Sequence, residues 1–342
     1  SYIFDRVLSD LHCKGEELFF KDIKQKNNTP VFYSKQLFKY PSNYQFLKKI
    51  LLKLLDKFKV KFGYLFYFNQ WVILFKFNNF SDNYSKSFYN FKKLFPPKDR
   101  FWADPFVVFN ENRHYIFFEE LIYKENKGKI SCVEIDKNGI KSAPKVILEK
   151  NYHLSYPFIF KDQGKYFMIP ESMDNKTIEL YECEFFPDKW NLVKVLINDI
   201  EAVDSTLLNY GNKYWLFTNL DSSSLGDYSS ELHIFYADNL DSTSWNPHSL
   251  NPVIFDSKKA RNAGMIYSEK NQLYRVFQKH DFDMYGASLG ISKIKSLTEN
   301  KYEEEIFINI LPDFFKNILG THTFSFNSGI LVNDFVKYEK ID

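Results

Sequence analysis

Five times in this 342-residue chain an apolar run of strand length is followed by a short polar turn and a second apolar run. The first runs are DPFVVF at Asp104, YPFIF at Tyr156, DSTLL at Asp204, NAGMIY at Asn262 and HTFSF at His322, and their starts lie 52, 48, 58 and 60 residues apart. The returning runs are NENRHYIFFEE, KDQGKYFMIPES, NYGNKYWLFTN, SEKNQLYRVFQ and NSGILVNDF. Each pair reads as a β-hairpin. Behind the hairpins come further strand-like segments, ISCVEID with PKVILEK, IELYECE with WNLVKVLI, and ELHIFYA with NPVIFD. Four strands repeating at roughly 50 residues is the pattern of a propeller blade, whose apolar faces are covered only when blades stack on one another.

The repeat predicts an all-β chain, a five-bladed β-propeller over residues 63–342, with a small helical or mixed extension over residues 1–62. The fifth hairpin lies too near the C-terminus to make a whole blade, so a strand from before residue 100 is expected to complete it; QWVILFKF, Gln70 to Phe77, fits best. In the extension, NYQFLKKILLKLLDKFKVK puts Phe46, Ile50, Leu54 and Phe58 on one helical face beside Leu47, Leu51 and Leu55. The other side carries Lys48, Lys49, Lys53 and Lys57. This amphipathic helix, from Asn43 to Lys61, suits packing on the propeller's side or a peripheral contact with an anionic membrane surface.

Several function classes are disfavoured. With 45 basic against 43 acidic residues the net charge is only +2, so no overall field draws the chain to nucleic acid. Cys13, Cys132 and Cys183 lack metal-ligand spacing, which fits a reducing compartment and argues against a structural zinc. No apolar run reaches the length of a membrane span, and SYIFDRVLSD has no secretory-signal pattern. A cytoplasmic location is expected, at the inner face of a membrane if the helix binds there. No glycine-rich phosphate loop, Ser-His-Asp elbow, HExxH or CxxC occurs, so no cofactor and no metal-ligand set are predicted, and spacing leaves a divalent ion on Asp and Glu undecided.

In a propeller the first strand of each blade lines the central channel, so the aligned starts Asp104, Tyr156, Asp204, Asn262 and His322 should meet around one cavity. The ends of the second strands add Glu119 or Glu120, Glu171, Asn219 and Gln278. Strand alternation turns only one of the two glutamates inward, and Glu120 is preferred. Asp104, Glu120, Glu171 and Asp204 are therefore the candidate catalytic groups, because crowded, partly desolvated carboxyls titrate apart and can act as acid and base. A separation near about 5 Å would suit double displacement and roughly 6.5–9.5 Å inversion. The structural alternative for Asp104 is a turn, since Asp-Pro is a common turn element. Candidate substrate-binding residues are Trp102, His153, Tyr156, Asn219, Gln278 and His322. Arg100, Arg261 and Arg275 join them, as planar forks for a donor phosphate. Arg275, embedded in a strand, otherwise requires one of the acids as partner.

The series FWADPF, FFEE, HLSYPF, MIPES, IELYEC, AVDSTL, HIFYAD, NPVIFD, ARNAG, LYRVFQ, YGASL and HTFSF resembles the propeller domain of plant glucosamine inositolphosphorylceramide transferases. It is similar also to propeller domains attached to sugar formyltransferase-like domains in bacterial surface-polysaccharide clusters. The likeness runs from Phe101 to the end. More distantly, the blade-start acids resemble those of family-43 and family-32 glycoside hydrolases, in which three carboxylates serve as base or nucleophile, acid and pKa modulator. Tyr156 departs from that pattern at the second start. By this resemblance Asp104 corresponds to the base, and the acid is Glu171 or Asp204. The resemblance implies a transferase that moves a glycosyl or phosphoglycosyl unit, a furanosyl unit among them, from a phosphate-activated donor to a glycan acceptor such as a capsular polysaccharide. A glycosidase and a non-catalytic glycan-binding module are the alternatives.

Overall fold

The five hairpins of the sequence turn in the same way. In a computed structural model that describes residues 2–26, 42–63, 67–78, 84–281, 284–313, 315–316 and 318–340, each pair of strands is joined by two residues. These are Glu111-Asn112, Gln163-Gly164, Gly211-Asn212, Lys270-Asn271 and Ser328-Gly329, and all ten have positive φ. That is the conformation two-residue hairpins need to match the strand twist, and Asn and Gly adopt it at least cost.

The chain divides into two compact units, residues 1–67 with 341–342, and residues 68–340. The first contributes three helices, α1 (Tyr2–Lys14), α2 (Glu16–Lys26) and α3 (Asn43–Gly63). Helix α3 is the amphipathic segment read from the sequence, and it starts on a reciprocal cap. Ser42 N–H donates to Gln45 Oε1 at 3.0 Å, and Gln45 N–H donates to Ser42 Oγ at 3.3 Å. Phe46, Leu47, Ile50, Leu51 and Leu54 of its apolar face are exposed, as are Lys48, Lys49 and Lys53; the side chains of Leu55, Lys57 and Phe58 lie outside the described residues. The helices α1 and α2 had no counterpart in the sequence reading.

The second unit is mostly β, in antiparallel sets. The first set is Arg100–Asn110, Arg113–Ile122 and Lys127–Asp136, with Gly139–Ile140 and Lys145–Leu148 on its outer edge. The second is Ser155–Asp162, Lys165–Ser172, Thr177–Phe185 and Lys189–Asn198. The third is Val203–Tyr210, Lys213–Asn219 and Glu231–Ala237, edged by Asn246–Pro247 and Ile254–Phe255. The fourth is Asn262–Glu269, Gln272–Asp281, Met284–Thr298 and Lys301–Ile310. The fifth draws on both ends of the chain: Phe324–Asn327 and Ile330–Lys340 are continued by Tyr67–Phe77 and Lys92–Leu94, with Ile318–Gly320 at the side. The segment Gln70 to Phe77 thus joins the C-terminal hairpin, as the sequence suggested. A parallel bridge, Gly264 to Phe324, links the fourth and fifth sets into one sheet, and among the described residues no sheet closes on itself.

Packing between sets follows the same order. Val108, Phe117, Met168 and Tyr181 bury the seam between the first and second sets, and Phe158, Ile169, Leu207 and Leu216 that between the second and third. Phe217, Ile234, Ile266 and Ile294 join the third to the fourth; Val276, Leu289, Leu74 and Phe324 join the fourth to the fifth. Ile73, Phe75, Ile330, Ile116 and Phe118 then join the fifth back to the first. Each set is therefore apolar on both faces, as strands buried on both sides must be.

Candidate active site

A β-bulge at the start of the first strand of each of the first four sets shapes the site. The pairing slips between Ala103 and Phe106, between Ser155 and Phe158, between Val203 and Thr206, and between Asn262 and Ile266. At the first three slips the residue inside the bulge is left-handed: Asp104 at φ 51°, Tyr156 at 44° and Asp204 at 51°. Non-glycine residues pay for that conformation in strain, and such strain gathers where a side chain must be aimed. In the fourth slip Gly264 takes φ 145°, and a Cβ on it would meet Phe324 O at 2.0 Å, so only glycine allows the bridge to the fifth set. Asn262 stands one step before the bulge, level with Ala103, and not in the place of Asp104 that the sequence alignment gave it.

The bulged aspartates sit in two hydrogen-bonded groups, one around Asp104 and one around Asp204, whose charges act on one another. Asp334, from the last strand, receives four donors: Asp104 N–H at 3.0 Å and His322 Nδ1 at 2.6 Å on Oδ2, and the N–H groups of His322 and Thr323 at 3.0 Å each on Oδ1. Thr323 Oγ1 donates to Asp104 Oδ1 at 2.6 Å. On the other side, Asp204 N–H donates to Glu171 Oε2 at 3.2 Å. Asp204 Oδ2 itself accepts from Arg261 Nε at 2.6 Å and Gln278 Nε2 at 3.1 Å. The His322 ring lies flat against Trp71, with centroids 3.9 Å apart and planes 12° from parallel, and meets the edge of Tyr285 at 5.3 Å.

Crowding of like charge out of water moves the protons. Burial pushes Asp104 up to about 7, aided by the charges of Asp204, Glu119 and Asp334 and opposed by His322. Burial pushes Glu171 up to about 8, the charge of Asp204 adding to it and Arg261 opposing. Burial works against the His322 cation, yet Asp334 and Asp104 raise it to about 9. Near neutrality, then, Glu171 keeps its proton while Asp104 is close to half ionised.

The structure brings together Asp104, Glu171, Asp204, Arg261, Gln278 and His322 among the residues singled out from the sequence. His153 sits beside them, with Nε2 3.1 Å from Glu119 Oε1 and Nδ1 accepting the Gly128 N–H at 3.0 Å. The Gly128 bond occupies the Nδ1 lone pair, so the His153 proton lies on Nε2, towards Glu119.

Other expectations are corrected. Glu120 points the opposite way from the network: Arg100 Nη1, Trp102 Nε1 and Ser131 Oγ donate to it, and despite its burial these donors draw it below the usual carboxylate range. Arg100 is spent on Glu120 and Asp99, and Trp102 is core, packed on Phe118. Arg275 is fully buried and clamped by both oxygens of Glu304 at 2.8 Å, so it offers nothing to a phosphate. Asn219 is consumed by Glu231 O, Ala260 O and the Asn262 N–H. Tyr156 is wholly buried, with its hydroxyl accepting the Gly264 N–H at 2.6 Å and 3.2 Å from Thr206 Oγ1, so it pins the second set to the fourth and presents no ring face to a sugar.

The inward glutamate is Glu119, which pairs with Ala103 as Glu171 pairs with Ser155 and Asn219 with Val203. The signal was present in the sequence: Glu119, Glu171 and Asn219 each follow the bulged residue of their hairpin by fifteen positions. Asp334, Thr323, Tyr285 and Trp71 were also missed, and no local pattern marks them.

Asp104, His322 and Asp334 could offer ligand atoms to an ion, since one from each lies within 4.8 Å of the others. Both Asp334 oxygens and His322 Nδ1 are already engaged in the bonds above, which account for the cluster without an ion. Glu171 opens on a cavity of about 520 Å³ walled by Asn126, Asn151, His153 and Asp174.

A family model described as Glucosamine inositolphosphorylceramide transferase 1, N-terminal, matches residues 92–316. Proteins called Glucosamine inositolphosphorylceramide transferase 1 from Oryza sativa subsp. japonica and from Arabidopsis thaliana are 33% identical to the chain over 207 and 208 residues. These matches cover 60% of this chain but 27% of each relative, so the chain spans about a quarter of their length. Among solved structures, the catalytic domain of Coprinopsis cinerea GH62 alpha-L-arabinofuranosidase has a TM-score of 0.52 at 12% identity, covering 69% of this chain and 90% of its own. An alpha-L-arabinofuranosidase from Lactobacillus brevis gives 0.51 at 12% identity, covering 70% and 90%. At such identity the likeness is one of fold.

Proposed function

The chain belongs to the family of the N-terminal domain of Glucosamine inositolphosphorylceramide transferase 1, and from that premise we propose that residues 68–340 are a five-bladed propeller whose axial carboxyls carry out glycosyl transfer. Five strand sets, with packed seams running from each to the next and from the last to the first, support the blade count. The transferase name of the relatives and the arabinofuranosidase fold of the structural neighbours agree on carbohydrate as the substrate class.

The observation that carries the reading is a pair of carboxyls, Asp104 buried and Glu171 half-buried, both raised to the neutral range by burial and by the charge of Asp204. Glu171, protonated, gives its proton to the oxygen that leaves the anomeric carbon. Asp104, ionised, takes the proton of the attacking hydroxyl as the new carbon–oxygen bond forms. Asp204 lies beside Glu171, held by Arg261 and Gln278, and its charge keeps the Glu171 proton in place. A sugar hydroxyl as attacker gives transfer, and water gives hydrolysis; the family's name favours the sugar.

Arg261 favours a second reading, transfer from a phosphate-activated donor. Its guanidinium lies at the cluster and donates from Nε to Asp204. A phosphate leaving group needs no proton, so this route would not depend on Glu171. The two are separated by offering the protein simple glycosides and, in parallel, nucleotide sugars. The first reading expects turnover of glycosides that Glu171→Gln lowers by about 10²-fold or more. Turnover confined to nucleotide sugars, indifferent to Glu171→Gln but lost in Arg261→Ala, establishes the second. Glycan binding without turnover of either donor class overturns both in favour of a binding module.

A further inference from the structure

Resting on the acid role of Glu171, we propose that the cavity between the first and second strand sets is a subsite for an uncharged, polyhydroxylated sugar residue, the one whose oxygen meets the Glu171 proton, with Asn126 and Asn151 as its specificity-determining side chains. The cavity of about 520 Å³ holds Glu171 together with Asn126 from a turn and Lys127 at the start of the strand that follows it, Asn151 and His153 from the connection between sets, and Asp174 from the segment after Lys165–Ser172. Its size suits one or two sugar rings rather than an extended chain.

Asn126 and Asn151 are exposed at the mouth of the cavity, and their side-chain amides make no hydrogen bond to any described residue. Lys127 Nζ is taken by Lys150 O at 2.6 Å and Glu149 at 3.2 Å, and the Tyr152 hydroxyl by Glu179 at 2.8 Å. One Asp174 oxygen accepts the His153 N–H at 3.3 Å. Two open amides, each with a donor and an acceptor end, are the groups that read neighbouring sugar hydroxyls, which themselves donate and accept. The same inventory argues against phosphate. The wall holds no arginine, and its two basic side chains are already paired, Lys127 with Glu149 and His153 with Glu119, so among the described residues a phosphate would find no unpaired cation there.

The test titrates the purified chain with methyl pentosides, methyl hexosides, methyl 2-acetamido-2-deoxyhexosides and inorganic phosphate, following each by saturation-transfer NMR. At least one glycoside is expected to bind, phosphate is not, and the double variant Asn126→Ala/Asn151→Ala is expected to weaken the glycoside about tenfold or more at unchanged melting temperature. Failure of every glycoside to bind, binding of phosphate in their place, or equal affinity in the double variant overturns the subsite. Glycoside binding that the double variant weakens, in a native chain without turnover, supports the subsite and overturns only the catalytic reading of Glu171.

Discussion

Two clusters of buried charge, one inside the fourth strand set and one gathered from the first three, are built on opposite terms. Arg275 and Glu304 form a closed pair: Nε and Nη2 each reach a Glu304 oxygen at 2.8 Å, Nη1 bonds Asn262 Oδ1, Nη2 also bonds Lys259 O, and Tyr302 donates to Glu304 at 2.6 Å. Charge balances charge there. Burial alone would raise Glu304, but Arg275 and the hydroxyl of Tyr302 draw it below the usual range. Around Asp104, Glu171 and Asp204 the acids outnumber the cations, and burial raises Asp104 and Glu171 instead. Depth is shared; satisfaction is not. A buried charge with every hydrogen bond made is architecture, whereas carboxyls kept near one another with too few donors store a tendency to move protons.

The largest expected effect tests the closed pair. Arg275→Met leaves Glu304 buried without its counter-charge and should destabilise the protein by about 3–5 kcal/mol, read as a fall in melting temperature or loss of the folded product. Arg275→Met/Glu304→Gln should recover much of the loss. A single variant as stable as the native chain would show that the pair is less closed than its geometry states. At the open cluster the same kind of change should act on chemistry and spare the fold. Asp104→Asn, which removes the proposed base, is expected to cost about 10²-fold in turnover with melting temperature within a few degrees of native. A collapse of stability in that variant would make Asp104 an architectural residue like Glu304.

The pH profile sharpens the contrast further. Glu171 acts as acid only while protonated, so turnover should fall as pH rises through about 8; Asp104 acts as base only when ionised, so it should fall as pH drops through about 7. The optimum is a narrow bell between these values, which belong to the coupled cluster rather than to either group alone. Asp104→Asn should remove the low-pH limb, and loss of neither limb in any acid variant would detach the proton transfers from this cluster.

The two clusters also differ in how far the sequence announces them. Asp104, Glu171 and Asp204 are legible because a hairpin repeat is a local pattern, and fifty-residue spacing aligns positions that the fold then stacks around one centre. Alternation along the second strand turns Glu119 and Glu120 opposite ways but does not say which of them faces inward, and the preference for Glu120 was wrong. The equal spacing from bulge to glutamate would have corrected that. Partners such as Asp334, 230 residues from the Asp104 amide it accepts, and Glu304, 29 residues from Arg275, leave no mark, because their pairing is decided by which strands become neighbours. An arginine inside a strand demands an acid but does not say which one. The phosphate role given to Arg275 failed on that point.

Gly128 tests the edge of the open cluster with a smaller change. A Cβ there would lie 2.5 Å from Leu154 O, 2.7 Å from His153 Cε1 and 2.8 Å from Glu119 Oε1. Gly128→Ala must therefore push His153 from Glu119 or shift the backbone. Overpacking of this kind costs about 1–3 kcal/mol, and it should weaken any ligand bound beside His153 more than it lowers the melting temperature. An unchanged affinity would place His153 outside the binding surface.

The smallest effect carries the sharpest sign. The folded chain holds the Glu171 proton to about 8, well above the usual 4.5, so the folded state favours the neutral acid more than the unfolded chain does. That contribution to stability is complete below about 4.5 and is lost as pH rises through 8. Glutamine imitates the neutral form at every pH. Glu171→Gln should thus match the native melting temperature near pH 5 and exceed it near pH 9, by about 2–4 °C. The closed cluster predicts the reverse: with Glu304 held as an anion, Glu304→Gln should be less stable than the native chain at both pH values. If Glu171→Gln instead loses stability as pH rises, the Glu171 carboxyl is a satisfied anion, and the distinction between the two clusters fails at the residue on which it depends most.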